Sequence, residues 1–185
     1  MKKIMILLAV ILAVSTHLPG SVPVFEFSMD SGDTTTIPND SLKGDFDGDG
    51  KIETLYVTSN GCIAEEILES CICILSFSKK LPTLKIVESM GADLYNLDDL
   101  NGDGSDEFGY IRVWQGSWQQ FHVLTYKNHK WVNLVPPFNV FLDYISDKGL
   151  IPIEKDKTKK GHVVIRSCEM VGQEVMVITK SVKVE

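Results

Sequence analysis

Two acidic nonapeptides set the strongest limit on how this chain can fold: Asp45-Phe46-Asp47-Gly48-Asp49-Gly50-Lys51-Ile52-Glu53 and Asp99-Leu100-Asn101-Gly102-Asp103-Gly104-Ser105-Asp106-Glu107. Each places an oxygen-bearing side chain at loop positions 1, 3, 5 and 9 and glycine at positions 4 and 6. Carboxylates packed this closely repel one another unless a cation lies among them, and the glycines supply the positive-φ conformations a tight loop needs. Ca²⁺, a hard ion that accepts many oxygens in a forgiving geometry, suits such a set. An Asp-Gly run taken alone is commonly a solvated turn. Agreement between two copies at positions 1, 3, 4, 5, 6, 9 and 12 is not something turn propensity produces.

The spacing excludes an EF-hand, which closes with a bidentate glutamate at position 12, where this chain has Tyr56 and Tyr110. The closing carboxylate stands at position 9 instead. In the first loop Asp45, Asp47 and Asp49 are expected to give side-chain oxygens, Lys51 its backbone carbonyl, and Glu53 the closing carboxylate. Asp99, Asn101, Asp103, the Ser105 carbonyl and Glu107 take the same parts in the second. Asn101 removes one charge, so the second loop is expected to bind more weakly. Phe46 and Leu100, at position 2, should point away from the ion and pin each loop to the core.

The pattern Asp-x-Asp/Asn-x-Asp-Gly-x-x-Glu followed by a strand resembles the calcium loops of FG-GAP and VCBS-type repeats, as in integrin α-subunit propellers and secreted bacterial proteins. The resemblance covers the two loops and the strands after them. It implies calcium ligation and one blade-like β unit per repeat, and it implies nothing about an activity. Two such repeats fall short of the four or more blades of a closed propeller, so an incomplete propeller-like or compact β domain is expected, with self-association as a further way to complete it.

The N-terminus reads as an export signal: Lys2 and Lys3 precede an apolar run over residues 4–14, with small residues near Ser15 and Gly20 for cleavage. That run is too short to span a bilayer, which takes about 20 residues, so no transmembrane segment is expected. The product would be periplasmic or extracellular. Loss of Lys2 and Lys3 takes the formal charge from −7 to −9, with no basic clustering to recruit nucleic acid. Cys62, Cys71, Cys73 and Cys168 then meet an oxidising compartment, where at least one disulfide is expected; buried free thiols are the alternative, and the spacing fits zinc poorly.

Beyond the leader (residues 1–20), residues 21–43 form a loose lead-in holding at most an edge strand, and residues 44–185 one domain. That domain divides into repeats over about 44–98 and 99–150 and a C-terminal hairpin. Short β-branched and aromatic runs over 54–58, 71–77, 83–87, 108–113, 121–126, 131–135, 162–167 and 174–183 predict an all-β, antiparallel meander of blade-like sheets. Residues 127–130 have the composition of a four-residue hairpin connection, and Gly172 marks another turn. Residues 63–70 admit a helical turn or two, and 138–145 a short helix or a further strand.

Outside the loops, Tyr110, Trp114 and Trp118 cluster after the second one, with Gln119 and Gln120 as polar neighbours. An apolar ring face beside amides is a way to hold a sugar, although aromatics in a β domain more commonly fill the core. His122 is expected to face solvent from a strand and His129 to sit in a turn; no triad, nucleophile elbow, His-Glu-x-x-His or phosphate loop is present. No catalytic residue is assigned. Two function classes follow: a calcium-stiffened binding or adhesion module with a protein or glycan partner, or a secreted hydrolase using calcium structurally or as an electrophile.

Overall fold

The computed structural model describes residues 41–60 and 71–184. The leader, the lead-in up to residue 40, Cys62 and the helical turns expected at 63–70 lie outside the described residues. Twelve strands and one short helix are present among those described: β1 (Ser41–Gly44), β2 (Glu53–Ser59), β3 (Ile72–Phe77), β4 (Leu84–Val87), β5 (Ala92–Asn96), β6 (Phe108–Arg112), β7 (Trp118–Lys127), β8 (Lys130–Asn133), β9 (Phe138–Phe141), α1 (Leu142–Ser146), β10 (Ile153–Lys155), β11 (His162–Val171) and β12 (Glu174–Lys183). They form three antiparallel sheets, β1-β2-β3-β4, β5-β6-β7-β8 with β9 also on β7, and β10-β11-β12. The all-β meander expected from the alternating sequence is therefore the fold, with no closed barrel.

The first two sheets share one plan. Each is a four-strand meander whose first connection, between β1 and β2 or between β5 and β6, is an acidic loop. Because β1 pairs with β2 from Ser41↔Tyr56 to Gly44↔Glu53, the first sheet already begins at Ser41 rather than at residue 44. The hairpin joining β7 to β8 turns on two residues, not four: Asn128 and His129 both take positive φ (53° and 61°) between the paired Lys127 and Lys130. Those signs define a type I′ turn, whose twist matches that of the flanking strands. The ambiguous stretch 138–145 divides into strand β9, registered Phe138 to Phe121 and Phe141 to Trp118, and the single-turn helix α1.

Two cores result, one on each side of the middle sheet. Phe46, Leu55, Cys73, Leu75, Ala92, Phe108 and Leu124 pack between the first sheet and the second. Leu100, Ile111, Phe121, Val123, Val140, Ile153, Val163 and Ile165 pack between the second and the third. The position-2 side chain of each loop thus plugs the space between its own sheet and the next, as expected for Phe46 and Leu100, which are 0% and 5% exposed. Phe46 meets Phe77 and Phe108 edge-on at ring distances of 5.8 and 5.7 Å. Cys71 is disulfide-bonded, whereas Cys73 and Cys168 are buried free thiols, and burial pushes the Cys73 thiol up to about 11.

Candidate functional site

The two acidic loops share four hydrogen bonds, to which the second adds Gly102 N to Asp99, Asp103 N to the Asn101 oxygen and Asn101 N to Glu107. The position-1 carboxylate gathers the amides of positions 5 and 6: Asp49 N donates to Asp45 Oδ1 (3.0 Å) and Gly50 N to Asp45 Oδ2 (2.8 Å). Asp103 N and Gly104 N do the same to Asp99 (3.1 and 3.3 Å). The position-5 carboxylate accepts from the amide of position 7, Lys51 N to Asp49 (2.9 Å) and Ser105 N to Asp103 (2.9 Å). The position-9 glutamate folds back beneath the loop and accepts from position 2, Phe46 N to Glu53 (3.1 Å) and Leu100 N to Glu107 (2.7 Å). The glycines at positions 4 and 6 take φ values of 70°, 81°, 85° and 95°, which side chains resist.

This scaffold aims oxygens at a common point. Asp45, Asp47 and Asp49 each offer a carboxylate oxygen, all within 4.8 Å of one another. Asp47 Oδ1 is buried there without a hydrogen-bond partner, which costs free energy unless a cation meets it. The Lys79 ammonium sits 2.6 Å from both Asp47 Oδ2 and Asp49 Oδ2, and their hydrogen bonds keep it protonated well beyond the usual lysine range. In the second loop Asn101 Nδ2 occupies the corresponding gap, donating to Asp103 Oδ2 (2.9 Å) and Glu107 Oε1 (3.1 Å). A hard cation suits the donor chemistry of both sets, which are oxygens; a positive group already stands among the first, and a neutral amide among the second. At the second, Asn101 would have to turn its amide oxygen inward. The Lys51 side chain is exposed, 3.6 Å from Asp49 Oδ2, and Ser105 is buried.

Burial sets the electrostatics of the closing glutamates. Glu107 is 0% exposed, and desolvation pushes its carboxyl up to about 7, against the opposing pull of Thr125 and the Leu100 and Asn101 amides. The Thr125 hydroxyl, buried without a hydrogen bond of full geometry, lies close enough to favour the ionised form. Glu53 is raised in the same sense, first by burial and then by the charge of Asp47.

The loops also touch each other. Asp106 N donates to Asp45 O (2.8 Å), and Asp45 N returns a bond to Asp106 Oδ2 (2.8 Å). A Cβ on Gly48 would come within 2.8 Å of Ser105 Oγ. Neither Asp106 nor Lys79 stands out in the sequence as part of the site. Asp106 had one signal, an acid at a position not needed for ligation.

At the opposite end of the middle sheet, Trp118, Gln119, Gln120, Arg112 and Asn139 line a cavity of about 330 Å³. Trp118 is 39% exposed and leans on Phe141 with ring centroids 5.1 Å apart. Trp114 and Tyr110 do not line it: Trp114 is half-buried beyond the end of β6, and Tyr110 stacks on His122 at 4.6 Å. His122, expected to face solvent, is half-buried, and burial lowers its pKa. A second cavity of about 590 Å³ lies beside the second loop, lined by Asp98, Asp99, Asp106 and Glu154 over Leu97 and Leu100. Among the described residues no helix is long and apolar enough to cross a membrane. Comparison with family models, with curated proteins and with solved structures gives no match.

Proposed function

We propose that this chain is an exported calcium-binding β domain that serves as a binding or adhesion module, its two acidic loops each holding one Ca²⁺. The observation that carries this reading is the duplicated loop scaffold, with matching backbone bonds in both copies, which in the first brings carboxylate oxygens of Asp45, Asp47 and Asp49 within 4.8 Å of one another beside a positive group. A solvated turn has no need to converge its acids; a cation site does. The ions would then fasten the connection at the head of each of the first two sheets, stabilising the native state by mass action, about 2.7 kcal/mol per site at a hundredfold excess over Kd. Melting of the full chain with excess chelator and with millimolar calcium tests this directly. A calcium-dependent rise with two ions bound by calorimetry is expected; coincident melting curves would remove the proposal.

The Trp118 cavity is the contact surface we assign to the module. Its exposed indole, three amide side chains and a guanidinium match the recognition chemistry of a glycan, an apolar ring face ringed by hydroxyls. Glycan-array binding that disappears in Trp118→Ala and persists in Trp114→Ala is the expected result, and equal binding by wild type and Trp118→Ala would discard the surface. Among the described residues, the cavity beside the second loop is the place that favours a hydrolase. There, however, Asp106 is engaged by the Asp45 amide and Glu154 by Arg166, so the binding module is the stronger reading.

A further inference from the structure

The first loop carries its own cation and the second does not. Lys79 lies just past β3, and its backbone is held on both sides. Ser78 N donates to Thr54 O (2.8 Å), Ser78 Oγ accepts from Thr54 N (2.9 Å), and Leu81 N donates to Lys79 O (2.7 Å) with the Leu81 side chain buried. The ammonium is therefore delivered to Asp47 and Asp49 by a fixed stem, at an effective concentration far above that of any free ion in solution. Asp99, Asp103 and Glu107 meet no lysine or arginine among the described residues. A neutral amide, Asn101 Nδ2, fills the corresponding gap.

We propose that Lys79 is a tethered competitor for the cation of the first loop, so that the second loop, though one charge poorer, takes calcium first and at lower concentration. The inference rests on the calcium reading above and deepens it. For an ion to enter the first loop, Lys79 must leave two carboxylates and swing into water, a move its half-exposed, flexible side chain permits. For an ion to enter the second, the Asn101 amide rotates, giving up its Nδ2 bonds to Asp103 and Glu107 and the bond its oxygen accepts from Asp103 N (2.7 Å), but no ion pair is broken. The order of affinity that charge counting gives is thus reversed by a residue 26 positions beyond the last ligand of the first loop, Glu53. Linkage is reciprocal: calcium in the first loop frees the Lys79 ammonium, and anything that captures that ammonium strengthens calcium binding there.

Calorimetric calcium titration of the full chain, compared with Lys79→Met and Lys79→Arg, tests the proposal. The wild type is expected to show two separated steps. Lys79→Met should tighten the weaker step about tenfold, the scale of a two-carboxylate surface ion pair, and leave the tighter step in place. Lys79→Arg keeps the cation and should stay near the wild type, which also controls for any structural effect of removing lysine. Two binding steps that are both unmoved in Lys79→Met, or a shift confined to the tighter step, would overturn the tethered competitor while leaving the calcium reading standing. A chain that takes no calcium in any of the three forms would overturn both.

Discussion

Glu107→Gln is expected to stabilise the calcium-free protein and to weaken the calcium-loaded one. Glu107 is fully buried, and its carboxyl is raised from 4.5 to about 7 by burial. A folded pKa above the unfolded one means that the native state holds the proton more tightly. Stability is then full below about pH 4.5, falls as the pH rises towards 7, and is flat above, when the carboxylate is ionised in both states. At 1.36 kcal/mol per pH unit the ionised group costs folding at most about 3 kcal/mol. Glutamine escapes that cost but offers an amide where Glu107 Oε1 now accepts from Asn101 Nδ2, so that one bond is lost, returning roughly 1 kcal/mol.

The net gain in chelator at about pH 8 is on the order of 1–2 kcal/mol, or about 3–6 °C in Tm for a domain of this size. With calcium in excess the proposed function reverses the sign, because Glu107 is there assigned as a ligand of the second loop and the variant lacks its charge. Thermal unfolding of both proteins with chelator and with calcium, repeated at about pH 4.5 and 8, reads all four quantities. Titrations shared by the two proteins cancel in their difference, which should be at or slightly below zero at the acid end and most in favour of the variant at the alkaline end. A variant that melts lower than wild type in chelator at alkaline pH, or that keeps the full calcium-induced rise, refutes the reasoning.

Phe46→Ala should cost about 3–5 kcal/mol, since it empties a fully buried site ringed by Phe77, Phe108 and Trp131, and it should also weaken the first loop for calcium by unpinning it. Urea unfolding with an unchanged slope measures the first effect, and a loss under 1 kcal/mol would mean that Phe46 does not anchor the loop as described. Gly109→Ala places a Cβ 2.5 Å from the ring of fully buried Phe121, across β6 and β7, and should destabilise by about 1–3 kcal/mol. Adding Phe121→Leu should recover part of that loss in the double variant, and purely additive losses would show that the contact is not the cause.

What the sequence made legible was whatever is local. The long β-branched runs became strands because alternation and side-chain shape act within a few residues, and β12 has the boundaries its pattern predicts. The short strands β1, β5 and β10 had no such pattern. Ser41-Leu42-Lys43-Gly44 is a strand because β2 supplies its partners, not because of its own propensity. In the site, the spacing of the acids in the first loop matches the convergence of Asp45, Asp47 and Asp49; among the described residues neither Glu53 nor the acids of the second loop join such a group. Their neighbours could not be foretold, because they arrive through the fold: Asp106 reaches Asp45 across 61 residues, and Lys79 reaches Asp49 across 30. Sequence proximity misled at Trp114, which lies four residues from Trp118 but on the far side of the turn at Gly116.

The third sheet supplies a comparison internal to the chain. Its first connection, from β10 to β11, occupies the same place in the meander as the two acidic loops, and it begins with Asp156, 57 residues after Asp99. Asp156 gathers the amides of Thr158 and Lys159 at 2.8 and 3.1 Å, at positions 3 and 4 where Asp45 and Asp99 both reach those of positions 5 and 6, and Gly161 at position 6 has φ 69°. Position 5, however, is Lys160 in place of Asp49 or Asp103, and position 9 is Val164 in place of glutamate. Hydrogen bonds from Ser181 and Thr158 hold the Asp156 carboxyl well below the usual range, so this lone acid is satisfied without an ion. One chain thus holds three versions of a single loop: one whose lone acid is satisfied by hydrogen bonds, one served by a lysine from just past β3, and one with neither. If carboxylate repulsion is what an ion relieves, demand for calcium should rise in that order, so titration should end at two ions and never reach three. A third equivalent bound with comparable affinity would show that the turn geometry, and not the count of acids, selects the metal.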